Sequence, residues 1–321
     1  MIESVPNVSE GLDASVVTAL AQAVRAGGSL LLDYSADPSH NRSVYTLAGD
    51  AGTIEQSLLQ LARTAVAQVD LRTHRGVHPR IGALDVVPLI PLAGSTMAAC
   101  IDLSHRVGRA LAETFGIPVY LYEQSATRPG RRRLEQIRRG NFEGLARKMA
   151  LPDWAPDYGP SAPHPTAGAT VVGARMPLIA YNVNLDSSDV AVARAIAAAV
   201  RESSGGLPCV KALGLPLRHR NVAQVSMNLT DFSRTSVQTA FEAVEREATA
   251  RGVRLLESEL IGLIPAAALE GTSAERLKLT GFTRSQILEE RIAERLAGRQ
   301  AGSSSASARR AGAMPNPRIL R

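Results

Sequence analysis

The sequence predicts an α+β protein in which one order of strands and helices occurs twice. Three observations support this. Apolar residues change between strand-like runs and helical periodicity along most of the chain, the same order of segments occurs in both halves, and a stretch rich in proline and glycine separates them. The 321 residues suffice for two domains, or for one domain made of two halves.

The first half begins with segments in the order strand, helix, strand, strand, helix, strand. Asp13 is a plausible N-cap of the first helix, and Gly27 and Gly28 follow as its stop signal. The strands are predicted at residues 2–8, 29–35, 43–49 and 83–94, and the helices at residues 13–27 and 53–71. This order is the split βαβ, or ferredoxin-like, pattern. A helix at 96–116, a strand at 118–124 and a basic helix at 131–150 extend this half.

The second half has the same order, with strands predicted at residues 176–185, 206–217, 221–229 and 253–265 and helices at 188–203 and 236–252. We therefore predict two ferredoxin-like (βαββαβ) subdomains packed together, residues 1–176 and 177–298. The halves show no close sequence match, so the repeat is one of element order. Residues 152–175, rich in proline and glycine, are predicted to be an irregular crossing or a linker. Residues 299–321, with few large apolar side chains, are predicted to be a disordered tail.

Composition and charge narrow the class of protein. The formal net charge is +6, with a pI near 9.7, which suits nucleic acid, an acidic membrane or a small polyanionic ligand. Two cysteines without CxxC spacing argue against a disulfide scaffold or a zinc ribbon and favour a reducing cytoplasm. The N-terminus does not read as a signal peptide, and no apolar run reaches the ~20 residues of a membrane helix, so we expect no membrane association.

The loop LRTHRGVHPRIGALD contains two of the six histidines of the chain, His74 and His78. Gly76 and Pro79 exclude a regular helix, so the two rings do not form an i, i+4 pair on one helical face. No further metal-ligand motif accompanies them, and we predict no metal. A neutral imidazole can act as a general acid or base near physiological pH. On composition alone, a hydrogen-bonded structural histidine is the favoured interpretation.

Arginines form two other candidate features. Arg42 begins a predicted strand after the turn DPSHN, where it could bind a carboxylate from a rigid element or simply face solvent. The stretch TRPGRRRLEQIRRG could bind RNA, but twelve aromatic residues without an RNP-type pattern favour a solvated basic helix, so we predict no nucleic-acid partner. Neither GxxxxGK[ST] nor GxGxxG occurs, so no nucleotide loop is predicted.

A series of stretches resembles one family, the glutamate formiminotransferases, which in vertebrates form the transferase part of formiminotransferase-cyclodeaminase. The stretches are VPNVSEG, NRSVYT, HRGVHPRIGALDVVPLIP, PVYLYEQSA, DWAPDYGPSA, GATVVGAR, AYNVNL and NVAQVSMNL. The stretches occur in this order between residues 5 and 229, the resemblance as a whole spans roughly residues 2 to 265, and HPRIGALD and WAPDYGPSA are specific to the family.

The resemblance implies transfer of a formimino group from N-formimino-L-glutamate to N5 of tetrahydrofolate, the co-substrate, in histidine degradation. It implies His78 as the catalytic general acid/base and Asn41, Arg42 and Arg80 as substrate-binding residues. It also implies two ferredoxin-like subdomains, a homodimer, and a separate cyclodeaminase for the next step. Folate binding is implied for the segment that comprises Gly159, Pro160, Ser161, Ala162, Pro163, His164, Pro165, Thr166, Ala167 and Gly168.

Three positions depart from the family pattern. Val77 stands where the family usually has Glu, Ser35 where it usually has an acidic residue, and Val8 where it usually has an aromatic residue. These changes leave open a divergent member that uses another formimino or formyl donor. A folate-binding or RNA-binding protein without catalysis is the alternative from another functional class.

Overall fold

The computed structural model describes residues 1–217, 220–305 and 318–319, and it divides into two compact units. The first unit is Met1–Arg175 together with the described residues from Gly298 onward, and the second is Met176–Ala297. Each unit contains helices and a β-sheet, which confirms the α+β class. No helix among the described residues is long and apolar enough to cross a membrane.

The first unit has the predicted order strand, helix, strand, strand, helix, strand. Its strands are β1 (Ile2–Ser4), β2 (Asn7–Val8), β3 (Leu30–Asp37), β4 (Arg42–Gly49), β5 (Leu84–Pro91), β6 (Val119–Leu121) and β7 (Thr170–Ala174). Its helices are α1 (Ala14–Ala26), α2 (Ala51–Gln68), α3 (Met97–Phe115), α4 (Leu134–Arg138) and α5 (Asn141–Met149). Asp13 caps α1, as predicted, by accepting from the backbone N–H groups of Ser15 and Val16.

The sheet of this unit has the strand order β3-β4-β1-β5-β7-β6, with β2 paired to both β4 and β5. The strands from β3 to β5 are antiparallel, whereas β7 pairs in parallel with β5 and β6. Residues Arg318–Ile319 form a two-residue strand, β12, parallel to β3.

Helices α1, α2 and α3 cover one face of this sheet. Their apolar residues, such as Leu20, Leu58 and Val107, are fully buried against the strands. Burying such a side chain contributes about 1.5–3 kcal/mol. The opposite face of β5, β6 and β7 is covered by the segment around α4 and α5, through Ile137 and Leu145. Because α4 lies on this face, residues at its end approach the start of β5.

Strand β7 corrects the prediction for residues 152–175. The sequence predicted an irregular crossing or a linker there, because proline and glycine dominate the segment. Its last part, TVVGA, is instead a buried strand between β5 and β6. Val171 and Val172 pack on opposite faces of the sheet, and such burial on both faces is typical of parallel strands.

The basic segment also differs from the prediction. Instead of one helix over residues 131–150, α4 ends at Arg138 and α5 starts at Asn141, with Gly140 at φ 95° between them. Glycine adopts this left-handed conformation without a Cβ penalty, which permits the break. The prediction of a solvated basic helix is wrong for Arg131, whose side chain is 1% exposed and binds Asp157 at 2.8 Å.

The second unit has strands β8 (Ile179–Leu185), β9 (Val210–Leu217), β10 (Val222–Leu229) and β11 (Leu255–Ile261), and helices α6 (Val190–Val200) and α7 (Val237–Thr249). Helix α8 (Leu288–Ser305) begins in this unit, and its residues from Gly298 are assigned to the first. Its antiparallel sheet has the order β11-β8-β10-β9. Apolar residues of α6 and α7, including Ile196 and Phe241, pack with its strands in a separate core.

Helix α8 corrects the start of the predicted tail. It continues to Ser305, beyond residue 299, where disorder was predicted to begin. The strand Arg318–Ile319 also falls in that segment. The remaining residues of the predicted tail lie outside the described residues.

Candidate active site

Side-chain hydrogen bonds of Asn41 join the turn between β3 and β4 to two other segments of the chain. Asn41 has a φ of 47°, a left-handed conformation that asparagine tolerates better than most residues. Its side-chain oxygen accepts from Gly11 N–H at 2.8 Å, and its side-chain amide donates to the Arg75 carbonyl at 2.9 Å. Asn41 thus joins this turn to the N-terminal segment and to the histidine-containing loop. Its role as a substrate ligand stays a prediction.

The histidine-containing loop, residues 70–83, is irregular, as Gly76 and Pro79 predicted. Its two histidines have different environments. His74 is 7% exposed, its Nε2–H donates to the Asn41 carbonyl at 2.9 Å, and its Nδ1 accepts from Arg80 Nε at 2.8 Å. Burial lowers the pKa of His74 and favours the neutral ring. His74 is therefore the hydrogen-bonded structural histidine of the pair.

His78 is half-buried, and one nitrogen of its ring contacts the backbone. Its Nδ1 lies 2.8 Å from the Pro79 carbonyl. A carbonyl only accepts hydrogen bonds, so this contact, the shorter of the two that Nδ1 makes, favours a proton on Nδ1 and the lone pair on Nε2. Arg42 Nη1 lies 3.2 Å from the same Nδ1, but it donates to Asp85 at 2.9 Å. His78 thus presents an unprotonated nitrogen, which a general base requires.

Asp85, at the start of β5, is a fully buried carboxylate beside His78. Its Oδ1 accepts from the N–H groups of Ile81 and Gly82 at 2.8 and 3.2 Å. Its Oδ2 accepts from Arg42 at 2.9 Å and from Arg138 at 2.5 Å. Burial alone would raise the pKa of Asp85, but the two arginines and the backbone donors lower it to about 2.

The two arginines leave this cluster with an excess of positive charge. Arg42 is 8% exposed and also donates from Nε to Asn7 at 2.8 Å. Burial, followed by repulsion from Arg138, lowers the pKa of Arg42 to about 10. The Nε–H of Arg138 is buried and has no hydrogen-bond partner among the described residues. Two guanidinium groups against one carboxylate form a site suited to an anion, which the unsatisfied donor also favours.

The same charges act on His78. Burial, followed by the proximity of Arg42 and Arg138, lowers its pKa to about 3, so the ring is neutral at physiological pH. A substrate carboxylate near the two guanidinium groups would compensate their charge, and the proton affinity of His78 would then rise. Binding of an anion and activation of the base are therefore coupled in this geometry.

Arg80, the third predicted substrate-binding residue, is 6% exposed and paired within the protein. It donates to His74 and, through Nη2, to Glu143 on α5 at 2.8 Å. The Glu143 side chain is 62% exposed, so a competing carboxylate can reach this ion pair. These contacts hold the Arg80 side chain in place and tie the loop that carries His78 to α5.

The predicted folate-binding segment, Gly159–Gly168, has an exposed part and an anchored part. Residues 159–162 are exposed, whereas Ala167 and Gly168 are buried. Backbone bonds join the anchored part to the histidine-containing loop, since Leu71 N–H donates to the Thr166 carbonyl and Ala83 N–H donates to the Ala167 carbonyl, both at 2.9 Å. The structure thus places this segment beside the base of the loop that carries His78.

Two glycines permit this close approach of backbones. A Cβ on Gly168, whose φ is 69°, would lie 2.0 Å from the Ile81 carbonyl oxygen. A Cβ on Gly82 would lie 2.1 Å from the Ala169 carbonyl oxygen. Any larger residue at either position would therefore separate the two segments.

The side chain of His40, from the turn DPSHN, also lies at this site, although no sequence motif singled it out. Its ring is 5.8 Å from that of His78, centroid to centroid, in an edge-on arrangement. Its Nδ1 is hydrogen-bonded to the Asp37 carboxylate.

Asp85 and Arg138 were also missed as site residues. Asp85 ends the motif HPRIGALD, which could have identified it. Nothing in the local pattern distinguished Arg138 from its exposed neighbours Arg132, Arg133 and Arg139.

The three departures from the family pattern lie in different environments. The Val77 side chain is 78% exposed at the tip of the loop. Ser35 is half-buried on β3, opposite Val44 of β4. Val8 is fully buried in β2. In the described part of the chain, no group of three or more His, Cys, Asp or Glu side chains is placed to hold a metal ion.

The fold and the site together define an α+β protein whose first unit holds a half-buried histidine, His78, beside a buried cluster of two arginines and one aspartate. The chain belongs to the formiminotransferase family. Residues 1–175 match the model of the formiminotransferase domain, N-terminal subdomain, and residues 180–305 match that of the formiminotransferase domain.

Relatives of this family align with most of the length of this chain. A glutamate formimidoyltransferase of Streptococcus pyogenes is 45% identical over 91% of this chain and 98% of its own length. A glutamate formimidoyltransferase of Thermoplasma acidophilum is 41% identical over 91% of this chain and 97% of its own length. The formimidoyltransferase-cyclodeaminase of Rattus norvegicus is 43% identical over 85% of this chain but only 52% of its own length. A solved structure of a periplasmic protease of Escherichia coli matches with a TM-score of 0.18 and 9% identity, over 95% of this chain and 36% of the protease chain.

Proposed function

We propose that this protein is a glutamate formimidoyltransferase that transfers the formimino group of N-formimino-L-glutamate to N5 of tetrahydrofolate. The identity of 41–45% to relatives of that name over 91% of the chain supports the proposal. The observation that carries it is the arrangement at His78, where a neutral ring with a free Nε2 lies beside two buried guanidinium groups that share one carboxylate.

The chemistry requires a base at the attacking nitrogen. N5 of the folate attacks the amidine carbon, a C–N bond forms, and N5 loses its proton to His78 Nε2. The tetrahedral intermediate then expels the glutamate nitrogen, which takes the electron pair of the breaking C–N bond and requires a proton. Positioned proton transfer of this kind typically contributes about 10²–10⁴-fold in rate, and holding both substrates together contributes further.

Arg42 and Arg138 suit the carboxylates of these substrates. Both guanidinium groups contact Asp85, which orients them, and they retain an excess of one positive charge. We propose Arg42 as a substrate-binding residue, with Arg138 as its partner. Arg80 can contribute if a substrate carboxylate replaces Glu143. The hydrogen bonds of Asn41 support a positioning role for this residue.

The segment Gly159–Gly168 is proposed to bind the folate. Its exposed residues 159–162 can approach a flat ring closely because their side chains are small or absent. Its anchored part shares backbone hydrogen bonds with the loop of His78, which supports binding of N5 near the base.

We also propose that residues 1–176 and 177–298 are ferredoxin-like subdomains. In the second unit the four strands lie in the order fourth, first, third, second, which supports this topology. In the first unit β3, β4, β1 and β5 follow a corresponding order. The packing of the subdomains, the homodimer, the cytoplasmic location, the role in histidine degradation and the separate cyclodeaminase stay predictions from the resemblance.

The test of the function is turnover by the purified protein, followed by the absorbance change as tetrahydrofolate is converted in the presence of formiminoglutamate. We expect turnover by the wild type and a loss of about 10²–10⁴-fold in kcat for His78→Asn. The Asn amide can still donate to the Pro79 carbonyl but cannot accept a proton. His105→Asn, on α3, is the matched control, because that ring contacts Tyr158 and none of the residues proposed to bind a substrate or transfer a proton.

The outcomes separate the alternatives. Full turnover by His78→Asn would remove His78 from its role as the base. Binding of tetrahydrofolate without turnover on any donor would indicate a folate-binding protein. Because Val77 and Ser35 depart from the family pattern, the assay includes other formimino and formyl donors, and a strong preference for one of them would redefine the substrate.

A further inference from the structure

The turn between β3 and β4 holds a second imidazole at the site, and the proposed mechanism has not yet used it. His40 lies in this turn, and its ring is 5.8 Å from the ring of His78, centroid to centroid. The two rings meet edge to face, so both can approach one small group between or above them.

Asp37 fixes the orientation of His40. One carboxylate oxygen accepts from the His40 backbone N–H at 3.0 Å, and the other accepts from Nδ1–H of the ring. Both oxygens therefore hold the same residue. The ring nitrogen that remains, Nε2, makes no hydrogen bond to any residue that the structure describes, and the ring is half-exposed. With Nδ1 held by Asp37, Nε2 is the ring nitrogen that remains for a ligand.

The turn itself is rigid. Asn41 N–H donates to the Pro38 carbonyl at 3.3 Å, and the side chain of Asn41 ties the turn to Gly11 and Arg75. A Cβ on Gly76 would lie 2.4 Å from the His40 carbonyl oxygen, so the loop of His78 packs closely on this turn. The separation of the two imidazoles is thus set by backbone contacts on both sides.

The surroundings of His78 explain why a second group is needed. In the free protein, burial together with Arg42 and Arg138 disfavours a proton on this ring, so His78 is neutral and does not hold a proton in store for the leaving nitrogen. His40, in contrast, is paired with a carboxylate of its own, that of Asp37.

We propose that His40, oriented by Asp37, is the general acid that protonates the glutamate nitrogen as it leaves, while His78 accepts the proton of N5. The inference rests on the proposed function. As the C–N bond to glutamate breaks, its electron pair goes to nitrogen, and His40 Nε2–H supplies the proton. Solvent then returns the proton from His78 to His40, so the protein ends the cycle in its initial state.

The dimensions suit this division of roles. The attacking and leaving nitrogens are bonded to one carbon and lie about 2.5 Å apart, given C–N bonds of about 1.5 Å. Two imidazoles whose centroids are 5.8 Å apart can each reach one of them. The assignment also gives a role to the carboxylate of Asp37. In this chain Ser35 and Val77 stand where the family usually has acidic residues.

The test compares His40→Asn with the wild type and with His105→Asn in the transfer assay. Asn at position 40 can still donate to Asp37 but cannot supply a catalytic proton. We expect kcat to fall by about 10²–10⁴-fold while KM for both substrates stays within about twofold. Asp37→Asn, which keeps the imidazole but removes its carboxylate, is expected to lose less. The control is expected to retain wild-type turnover.

A second measurement separates catalysis from structure. Turnover of His40→Asn should rise with the concentration of imidazolium buffer, because an external acid can replace the missing one, whereas the wild type should not respond. Unchanged kcat, a loss confined to KM, or a loss that buffer acid does not reduce would each overturn the assignment. A wild type without turnover would instead refute the proposed function.

Discussion

At the scale of residues, the cluster of His78, Arg42, Asp85 and Arg138 links anion binding to proton affinity. In the free protein the two guanidinium groups help to lower the pKa of His78 to about 3. A base this weak is far from the range near the working pH at which proton transfer is most effective. Compensation by a bound carboxylate is therefore expected to be part of how the site becomes active.

This coupling predicts that a dicarboxylate raises the pKa of His78. Addition of glutamate should shift its titration upward, measured by NMR on the ring protons with His78→Asn to assign the signal. Linkage requires the reciprocal effect, so glutamate should bind more tightly as the pH falls. An unchanged titration at saturating glutamate would show that the anion binds elsewhere. Arg138→Gln should weaken the shift, since it removes one of the two charges.

At the scale of elements, the contact between the segment 159–168 and the histidine-containing loop depends on glycine. Gly168→Ala places a Cβ 2.0 Å from the Ile81 carbonyl oxygen at a φ of 69°. Gly116→Ala, at the end of α3, has a φ of 65° and nothing within 4 Å, so it is the matched control. The left-handed conformation alone costs about 1–2 kcal/mol in each variant.

We therefore expect Gly168→Ala to lower stability by clearly more than Gly116→Ala and to weaken tetrahydrofolate binding several-fold. The fluorescence of Trp154, the single tryptophan of the chain, reports unfolding of the first unit. Binding is measured by calorimetry at a temperature at which both variants are folded. Equal behaviour of the two variants would show that the backbone contact contributes nothing beyond the local conformation.

Much of the element order was available from the sequence, because the periodicity of α1, α2, α6 and α7 and the apolar runs of the strands are local signals. Strand β7 was not predicted, since its five residues follow a long stretch of proline and glycine. The break between α4 and α5 was also missed. It depends on Gly140 and on packing against the far face of the sheet, which the basic pattern does not reveal.

At the scale of the whole molecule, acid is expected to destabilise the fold through two buried groups. The pKa of His78 is about 3 in the folded protein against 6.5 unperturbed, so the unfolded chain binds this proton first as the pH falls below 6.5. The pKa of Asp85 is about 2 against 3.8, so the unfolded chain also binds its proton first, below about 3.8. Both effects lower the free energy of unfolding as the pH decreases. Above about pH 6.5 neither of them changes the free energy of unfolding with pH.

The measurement is the free energy of unfolding in urea between pH 7 and pH 4, followed by Trp154 fluorescence. His78→Asn should lose less stability than the wild type over this interval, with a difference in slope of up to about 1.4 kcal/mol per pH unit. At pH 4 the contribution of Asp85 to the free energy of unfolding is still nearly complete, so the difference between the two proteins reports on His78. Parallel curves for the two proteins would contradict the lowered pKa of His78.

The sequence by itself determined the α+β class, most element boundaries and the family, because periodicity and contiguous motifs are properties of neighbouring residues. It also predicted His78 and Arg42 as site residues, and their roles stay predictions. The tertiary structure alone decided that Arg138 meets Asp85, that His40 faces His78, and that Arg131 is buried rather than solvated. The partners in these contacts lie 26 to 53 residues apart in the sequence, and only the packing of distant segments brings them together.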